Sequence, residues 1–164
     1  MFQSERERHG WIEGIRVAVR PVAQFEKGEL DLALLTPDTT PDGLRVRRLF
    51  DEDYVCALRA GHPDATPGRL TLDRFCALDH ALMSHSGHVF QGATDEALAH
   101  LGRSRHAVLS IPSFLVLLDV LRTSNIIAVI PRRVMAGADG LAGVDPPLEI
   151  PGFTKVAAWH EDGV

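Results

Sequence analysis

The chain has 164 residues, of which 45% are hydrophobic, so it can bury a core in one domain or in two small lobes. Its formal net charge of −5 argues against a basic surface that binds the phosphate backbone of a nucleic acid. No apolar run reaches the roughly 18 residues of a membrane helix, and the first ten residues contain no apolar signal core, so we expect a cytoplasmic protein without a membrane partner. Cys56 and Cys76 are too few for a disulfide framework and are expected to be free thiols.

The first elements in chain order are strands separated by turns. IRVAV at 15–19 and LDLALL at 30–35 have the branched or continuous apolar character of strands, and TPDTTPDG at 36–43 is a turn cluster. DYVCALRA at 53–60 is a longer strand, and the Pro- and Gly-rich stretch GHPDATPGR follows it at 61–69. The composition of this stretch predicts a lobe boundary.

Helices and strands alternate after this boundary. The predicted helices begin at the capping residues Thr71, Thr94 and Ser113, and Gly102 fits the end of the second helix. The predicted strands are ALMSH at 81–85, HAVLSI at 106–111, IIAVIP at 126–131 and, after a loose stretch at 137–152, FTKVAAW at 153–159. Strands joined by helical crossovers run parallel, so the pattern predicts an α/β sheet. An apolar stripe on the third helix is interpreted as core, and its members are Phe114, Leu115, Leu117, Leu118 and Leu121.

Polar residues follow three of the predicted strands. They are Thr36 and Pro37 after LDLALL, Ser84, His85 and Ser86 after ALM, and Pro112 and Ser113 after HAVLSI. Ligands of open α/β sheets bind beyond the carboxyl ends of the strands, where helix N-termini also present free N–H groups. Hydroxyl and N–H groups in such a place suit a carboxylate or a polar ring substituent, so these loops are expected to contact a small ligand.

The stretch Ser84-His85-Ser86-Gly87-His88 leaves other interpretations open. His85 and His88 have the spacing of two metal ligands, but no further ligand stands at a recognised spacing from them, so no metal site and no cofactor are expected. A serine with a histidine could act as nucleophile and base, but the motif G-x-S-x-G is absent, and we expect no enzyme. An ordinary polar loop is the remaining alternative.

The order of these segments resembles the effector-binding domain of LysR-type transcriptional regulators. The segments that carry the resemblance are GELDLALL at 28–35, RLFDEDYVCALRAGHPDA at 48–65, LTLDRFCALDHALMSHSG at 70–87, VLSIPSFLVLLDVLRTSNIIAVIPRRV at 108–134 and LEIPGFTKVAAWHED at 148–162. No single motif is highly specific, but their order and spacing together are. Within the family, the chain looks closest to the nodulation-regulator-like branch.

The resemblance implies an α/β fold like that of type 2 periplasmic binding proteins, with two lobes joined by two crossover strands. Residues 1–60 with 150–164 are expected to form the first lobe and residues 61–149 the second, with hinges beside Gly61 and Gly152. A small metabolite, aromatic or carboxylate in character, is expected to bind in the cleft. The cleft positions of the family carry over onto the same strand ends, which are Thr36, Pro37, Ser84, His85, Ser86, Pro112 and Ser113.

The chain also departs from the family pattern. Family members begin with a winged helix-turn-helix, which this sequence does not contain, so contact with DNA is expected only through such a segment. The first lobe is expected to be incomplete, because its first strand and helix are not recognisable before IRVAV. The sensory domain of a bacterial regulator is expected to form a homo-oligomer. The competing hypotheses are a dimerisation module that has lost its pocket, a solute-binding module of the same fold and a metal-dependent hydrolase.

Overall fold

The chain divides into two compact units. The computed structural model describes residues 11–12, 15–16, 24–25, 27–84 and 92–160, and only the backbone of the first two pairs. One unit contains the described residues up to Asp51 together with those from Phe153 onward, and the other is Glu52–Gly152. The chain therefore passes between the units twice, at 51–52 and at 152–153.

The first unit contains a three-stranded sheet with the last strand of the chain in its centre. The strands are β3 (Ala33–Leu35), β4 (Arg45–Glu52) and β10 (Phe153–Trp159), in the order β3-β10-β4. β10 runs antiparallel to β3, with Val156 opposite Leu35. Two short strands, β1 (Trp11–Ile12) and β2 (Ile15–Arg16), pair with each other, so the strand predicted at 15–19 lies only partly within the described residues.

The second unit contains a mixed five-stranded sheet in the order β7-β6-β8-β5-β9. The strands are β5 (Tyr54–Arg59), β6 (Asp79–Met83), β7 (His106–Ile111), β8 (Ile127–Pro131) and β9 (Leu141–Val144). β6 is parallel to both β7 and β8, which confirms the parallel sheet expected from the helical crossovers. β5 runs antiparallel to β8 and β9.

Three helices connect these strands, and not all of them begin at the capping residue that the sequence predicted. The helices are α1 (Leu72–Ala77), α2 (Ala93–His100) and α3 (Phe114–Thr123). Thr71 caps α1, because its hydroxyl accepts the N–H of Arg74 at 3.3 Å. The cap predicted at Thr94 is wrong: α2 begins after Gly92, and Thr94 is buried inside its first turn. Gly102 follows the end of α2 at φ +65°, as expected for a helix stop.

The core of the second unit forms where α3 packs on the sheet. Leu117, Leu118 and Leu121 lie on one face of the helix and are buried against apolar side chains of β5, β6 and β8. Each fully buried leucine of this kind stabilises the fold by roughly 1.5–3 kcal/mol. Leu115 does not belong to this stripe, since its side chain is 57% exposed. Its neighbour Phe114 is partly buried against the same cluster.

The strand at 54–59 belongs to the second unit, whereas the prediction assigned it to the first lobe. Its residues Val55, Cys56, Ala57 and Leu58 are buried on both faces of the sheet, as is typical of a central strand. The stretch 137–152, predicted to be loose, contributes the edge strand β9 to the same sheet. Cys56 and Cys76 are both free, and burial raises the pKa of the Cys56 thiol to about 12, so this thiol is unreactive at neutral pH.

The loop after β5 carries a buried polar network. His62 and Asp64 are both about 5% exposed. His62 accepts the Asp64 N–H at its Nδ1 (3.1 Å), so its Nε2 donates to the carbonyl of Asn125 (3.2 Å). The Asp64 carboxylate accepts two hydrogen bonds from Arg74, at 2.7 and 3.3 Å. This loop therefore ties β5 to α1 and to the turn before β8.

Replacing Asp64 with asparagine is expected to destabilise the second unit by about 1.5–3 kcal/mol, the usual worth of a hydrogen bond to a charged group. The Arg74 hydrogen bonds hold the pKa of the Asp64 carboxyl below its usual value, so this stability is present at neutral pH and is lost as the pH falls through the lowered pKa. Urea unfolding at pH 7 and at pH 3 measures both effects. Asp73→Asn is the control, because the Asp73 side chain is 85% exposed in its ion pair with Arg103.

Candidate functional site

The carboxyl ends of β6 and β7 lie side by side in the second unit. Met83 is the register partner of Ile111, and the N–H of Ser84 donates to the Ile111 carbonyl at 3.0 Å. The structure thus brings Ser84 together with Pro112 and Ser113, which directly follow β7. Both serines are half-buried.

Ser113 occupies the N-cap position of α3, but its side chain makes no capping hydrogen bond. Its carbonyl accepts the N–H of Leu117 at 3.0 Å, so only the backbone of Ser113 takes part in the helix. The first N–H groups of a helix have no partner within the helix, and the helix dipole favours negative charge there. The Ser113 hydroxyl and these N–H groups therefore form a place where a carboxylate is favoured.

Apolar side chains adjoin these polar groups. Met83 and Phe114 are partly buried against the core of the unit, while Leu115 and Val116 are more than half exposed in the first turn of α3. A few placed polar groups beside apolar surface are typical of small-molecule sites. This edge can hold the polar end of a small organic molecule and contact its apolar part.

Thr36 and Pro37 lie in the first unit, at the end of β3. They begin a short 3-10 turn, Pro37–Thr39, in which the Thr36 and Thr39 hydroxyl oxygens are 2.8 Å apart. A hydrogen bond from Thr36 also lowers the pKa of the exposed Asp38 carboxyl. The hydroxyl of Thr36 is therefore engaged within its own turn, and its contact with a ligand stays a prediction.

His85 and Ser86 lie outside the described residues, as does His88. Their predicted roles in ligand contact, and the alternatives of a metal pair or a nucleophile with its base, stay untested. In the part of the chain that the structure describes, no group of three or more His, Cys, Asp or Glu side chains is placed to hold a metal ion.

A cluster of ion pairs at the same edge of the sheet was not predicted from the sequence. Arg132, directly after β8, donates to Asp53 and to Asp145, at 2.9 Å in each case. Arg133 donates its backbone N–H to the buried carboxylate of Glu52 at 3.3 Å, and its Nε forms an ion pair with the same carboxylate, also at 3.3 Å. Each of these two arginines is thus engaged with carboxylates of the second unit. They thus join the end of β8 to the start of β5.

The fold and this edge define a class of protein. A mixed α/β sheet with hydroxyl and N–H groups at the carboxyl ends of neighbouring parallel strands is typical of domains that bind small molecules. Among the described residues, no helix is long and apolar enough to cross a membrane.

The chain belongs to the LysR substrate-binding domain family, whose profile matches residues 15–164. The regulator SyrM 1 of Sinorhizobium fredii is 30% identical over 159 residues, which cover 95% of this chain and 47% of SyrM 1. The transcriptional activator NagR of a Ralstonia species is 31% identical over 141 residues, which cover 83% of this chain and 46% of NagR. The chain spans about half the length of these curated relatives.

Solved structures of regulators have the same fold. The probable transcriptional regulator PA0477 from Pseudomonas aeruginosa superposes with a TM-score of 0.73 at 27% identity, over 87% of this chain and 49% of that one. The regulatory domain of MexT, a transcriptional activator from the same organism, gives 0.69 at 30% identity, over 84% of this chain and 66% of that one. The fold is therefore the α/β fold of LysR regulatory domains, which is of the type 2 periplasmic-binding-protein kind, as the sequence resemblance implied.

Proposed function

We propose that this chain is the effector-sensing part of a LysR-type transcriptional regulator, and that its effector is a small carboxylate held at Ser84 and Ser113. The observation that carries the proposal is that Ser84 and Ser113 follow two adjacent parallel strands at the same edge of the sheet, with Ser113 at the start of α3. Membership of the LysR family supports a sensory role and no chemistry on the ligand. DNA contact would belong to a separate helix-turn-helix, and the protein would act in the cytoplasm as a homo-oligomer.

Regulation would follow from the affinity of the effector for one conformation over another. A ligand shifts a conformational equilibrium only by the difference between its affinities for the two states. The two chain passages at 51–52 and 152–153 are the places where such a change would bend the backbone, and Gly152 lies directly at one of them. Gly61, the other proposed hinge residue, lies within the second unit, in the turn after β5.

Replacing Ser84 with alanine is expected to weaken carboxylate binding about 2- to 12-fold, because a hydrogen bond to a ligand contributes about 0.5–1.5 kcal/mol. Titration calorimetry with a panel of small aromatic and aliphatic carboxylates, benzoate among them, measures this change. Ser104→Ala is the control, since Ser104 is exposed in the turn after α2. Equal affinities of the wild type and the Ser84 variant would remove Ser84 from the site.

A second candidate function is a dimerisation module without a working pocket. The observation that favours it is apolar surface on the first unit, where Leu32, Leu34, Val46 and Leu49 are each about half exposed. Sedimentation of the purified chain tests this candidate. A tight dimer that binds none of the carboxylates would support it, and a monomer that binds one of them would contradict it.

A further inference from the structure

Two Asp–Gly steps of the described chain lie in exposed turns and are followed by the same residue. Asp42-Gly43-Leu44 stands between the Pro37–Thr39 turn and β4, and Asp139-Gly140-Leu141 leads into β9. Both aspartates and both glycines are exposed to water. The glycines also share a positive φ, which is +86° at Gly43 and +79° at Gly140. Local sequence and exposure therefore do not distinguish the two steps.

Hydrogen bonds anchor the backbone around Gly140. The Nε of Arg122, on α3, donates to the Asp139 carbonyl at 2.9 Å, and the N–H of Ala60 donates to the Gly140 carbonyl at the same distance. The stem of Arg122 also lies against this turn, since a Cβ atom added at Gly140 would be 3.9 Å from its Cγ and Cδ. The peptide units on both sides of Gly140 are therefore fixed.

The turn at Asp42 lacks such an anchor. Among the described residues, none donates to the carboxylate or the carbonyl of Asp42, and none accepts the N–H of Gly43. A Cβ atom added at Gly43 would meet nothing within 4 Å, so open space surrounds this residue. The Asp42 side chain and the Gly43 nitrogen can therefore approach each other, and water reaches both.

An aspartate that precedes glycine rearranges without a catalyst when the backbone permits it. The glycine nitrogen attacks Cγ of the protonated carboxyl group, so that an N–Cγ bond replaces the Cγ–OH bond, and the amide proton and the hydroxyl leave as water. Water then opens the resulting succinimide ring. Its attack at the main-chain carbonyl breaks the bond from that carbonyl to the glycine nitrogen, which leaves a free carboxylate on Cα and a chain that continues through Cγ as isoaspartate. Glycine favours the reaction because it has no Cβ atom to obstruct the closing ring.

We propose that Asp42 is a site of spontaneous isomerisation to isoaspartate in the folded protein, and that the hydrogen bonds from Arg122 and Ala60 protect Asp139 from the same reaction. Ring closure requires rotation of the peptide unit that follows the aspartate. This rotation is open at Asp42, whereas at Asp139 it breaks the hydrogen bond from Arg122 and strains the one from Ala60. The product lengthens the main chain by one atom in the connection between β3 and β4 of the first unit.

Peptide mapping after prolonged incubation of the folded protein at pH 6 and physiological temperature tests the inference. Trypsin places Asp42 in the peptide 28–45 and Asp139 in the peptide 134–155, and electron-based fragmentation identifies isoaspartate by cleavage of its additional main-chain bond. Isoaspartate is expected to accumulate about tenfold faster at Asp42 than at Asp139, the factor that two ordinary hydrogen bonds provide together. In protein unfolded by urea, where both turns are released, the two rates are expected to become similar.

Arg122→Met isolates one anchor, because it removes the hydrogen bond to the Asp139 carbonyl and keeps an apolar stem. Isomerisation at Asp139 is expected to become roughly threefold faster in this variant, the usual effect of one hydrogen bond, while Asp42 keeps its wild-type rate. Arg103→Met is the matched control, since Arg103 pairs with Asp73 instead. Equal rates at Asp42 and Asp139 in the folded wild type would overturn the inference without the use of any variant, as would isoaspartate at Asp42 that forms only after unfolding.

Discussion

Replacing Gly152 with alanine is expected to destabilise the second unit by about 3 kcal/mol, the upper end of the usual cost of overpacking. A Cβ atom added at Gly152 would lie 2.3 Å from the carbonyl oxygen of Glu52. The added Cβ is fixed to the backbone of residue 152, and the atom it would clash with belongs to the backbone of Glu52. Neither can move aside as a flexible side chain would, because the chain passes between the units at this place. Urea unfolding followed by circular dichroism measures the loss.

Gly61→Ala is the matched control for this substitution. The nearest atom to a Cβ at Gly61 is Nη1 of Arg59, at 2.9 Å, which is the far end of a flexible side chain. We expect this variant to lose less than about 1 kcal/mol, as is common for substitutions that the surroundings can accommodate. An unfolding midpoint for Gly152→Ala equal to that of Gly61→Ala would show that the close approach to Glu52 does not constrain the passage.

Acidification is expected to destabilise the second unit through His80. Burial is the main reason that the pKa of His80 falls from 6.5 to about 4, and the positive charge of Arg105 also lowers it. The hydrogen bond to the Phe75 carbonyl and the carboxylates of Asp95 and Asp79 act in the opposite direction and raise this pKa. In the unfolded chain His80 is therefore protonated below about pH 6.5, whereas in the folded protein it is protonated only below about pH 4. Stability is unaffected above pH 6.5 and falls by about 3 kcal/mol as the pH drops to 4.

The free energy of unfolding, measured between pH 7 and pH 4.5, tests this prediction. His80→Gln is expected to be less stable at pH 7, because the hydrogen bonds of the imidazole are lost, but to show a flatter dependence on pH. His106→Gln is the control variant, since the His106 side chain is 74% exposed. Parallel pH profiles for the wild type and His80→Gln would assign the acid response to other groups.

Much of the second unit follows from local sequence. The strands at 106–111 and 127–131 are short apolar runs separated by a segment long enough for a helix. This local pattern alone predicts that the two strands are parallel. The position of Ser84 and Ser113 at one edge of the sheet follows from the same rule, because parallel strands end at the same edge.

Pairings between distant segments are not encoded in local patterns. The residues of DYVCALRA predict a strand but do not indicate which sheet it joins. The prediction therefore assigned it to the first lobe, whereas in the structure it pairs with β8 and β9. The ion pairs of Arg132 and Arg133 were missed for the same reason, since their partners at 52–53 come near only when Tyr54 pairs with Pro131. The N-cap of α2 was predicted at the wrong residue because the residue at this position is a glycine, which has no side chain to mark it. The carboxylate of Asp95 accepts the N–H of Gly92 instead.

Chemical-shift mapping of isotope-labelled protein, titrated with benzoate and a panel of other small carboxylates, tests the central claim most directly. The account predicts that one compound shifts the backbone amides of Ser84, Ser113 and the first turn of α3, and that Ser84→Ala weakens this binding. A compound that binds tightly while these amides keep their wild-type shifts would contradict the proposed site.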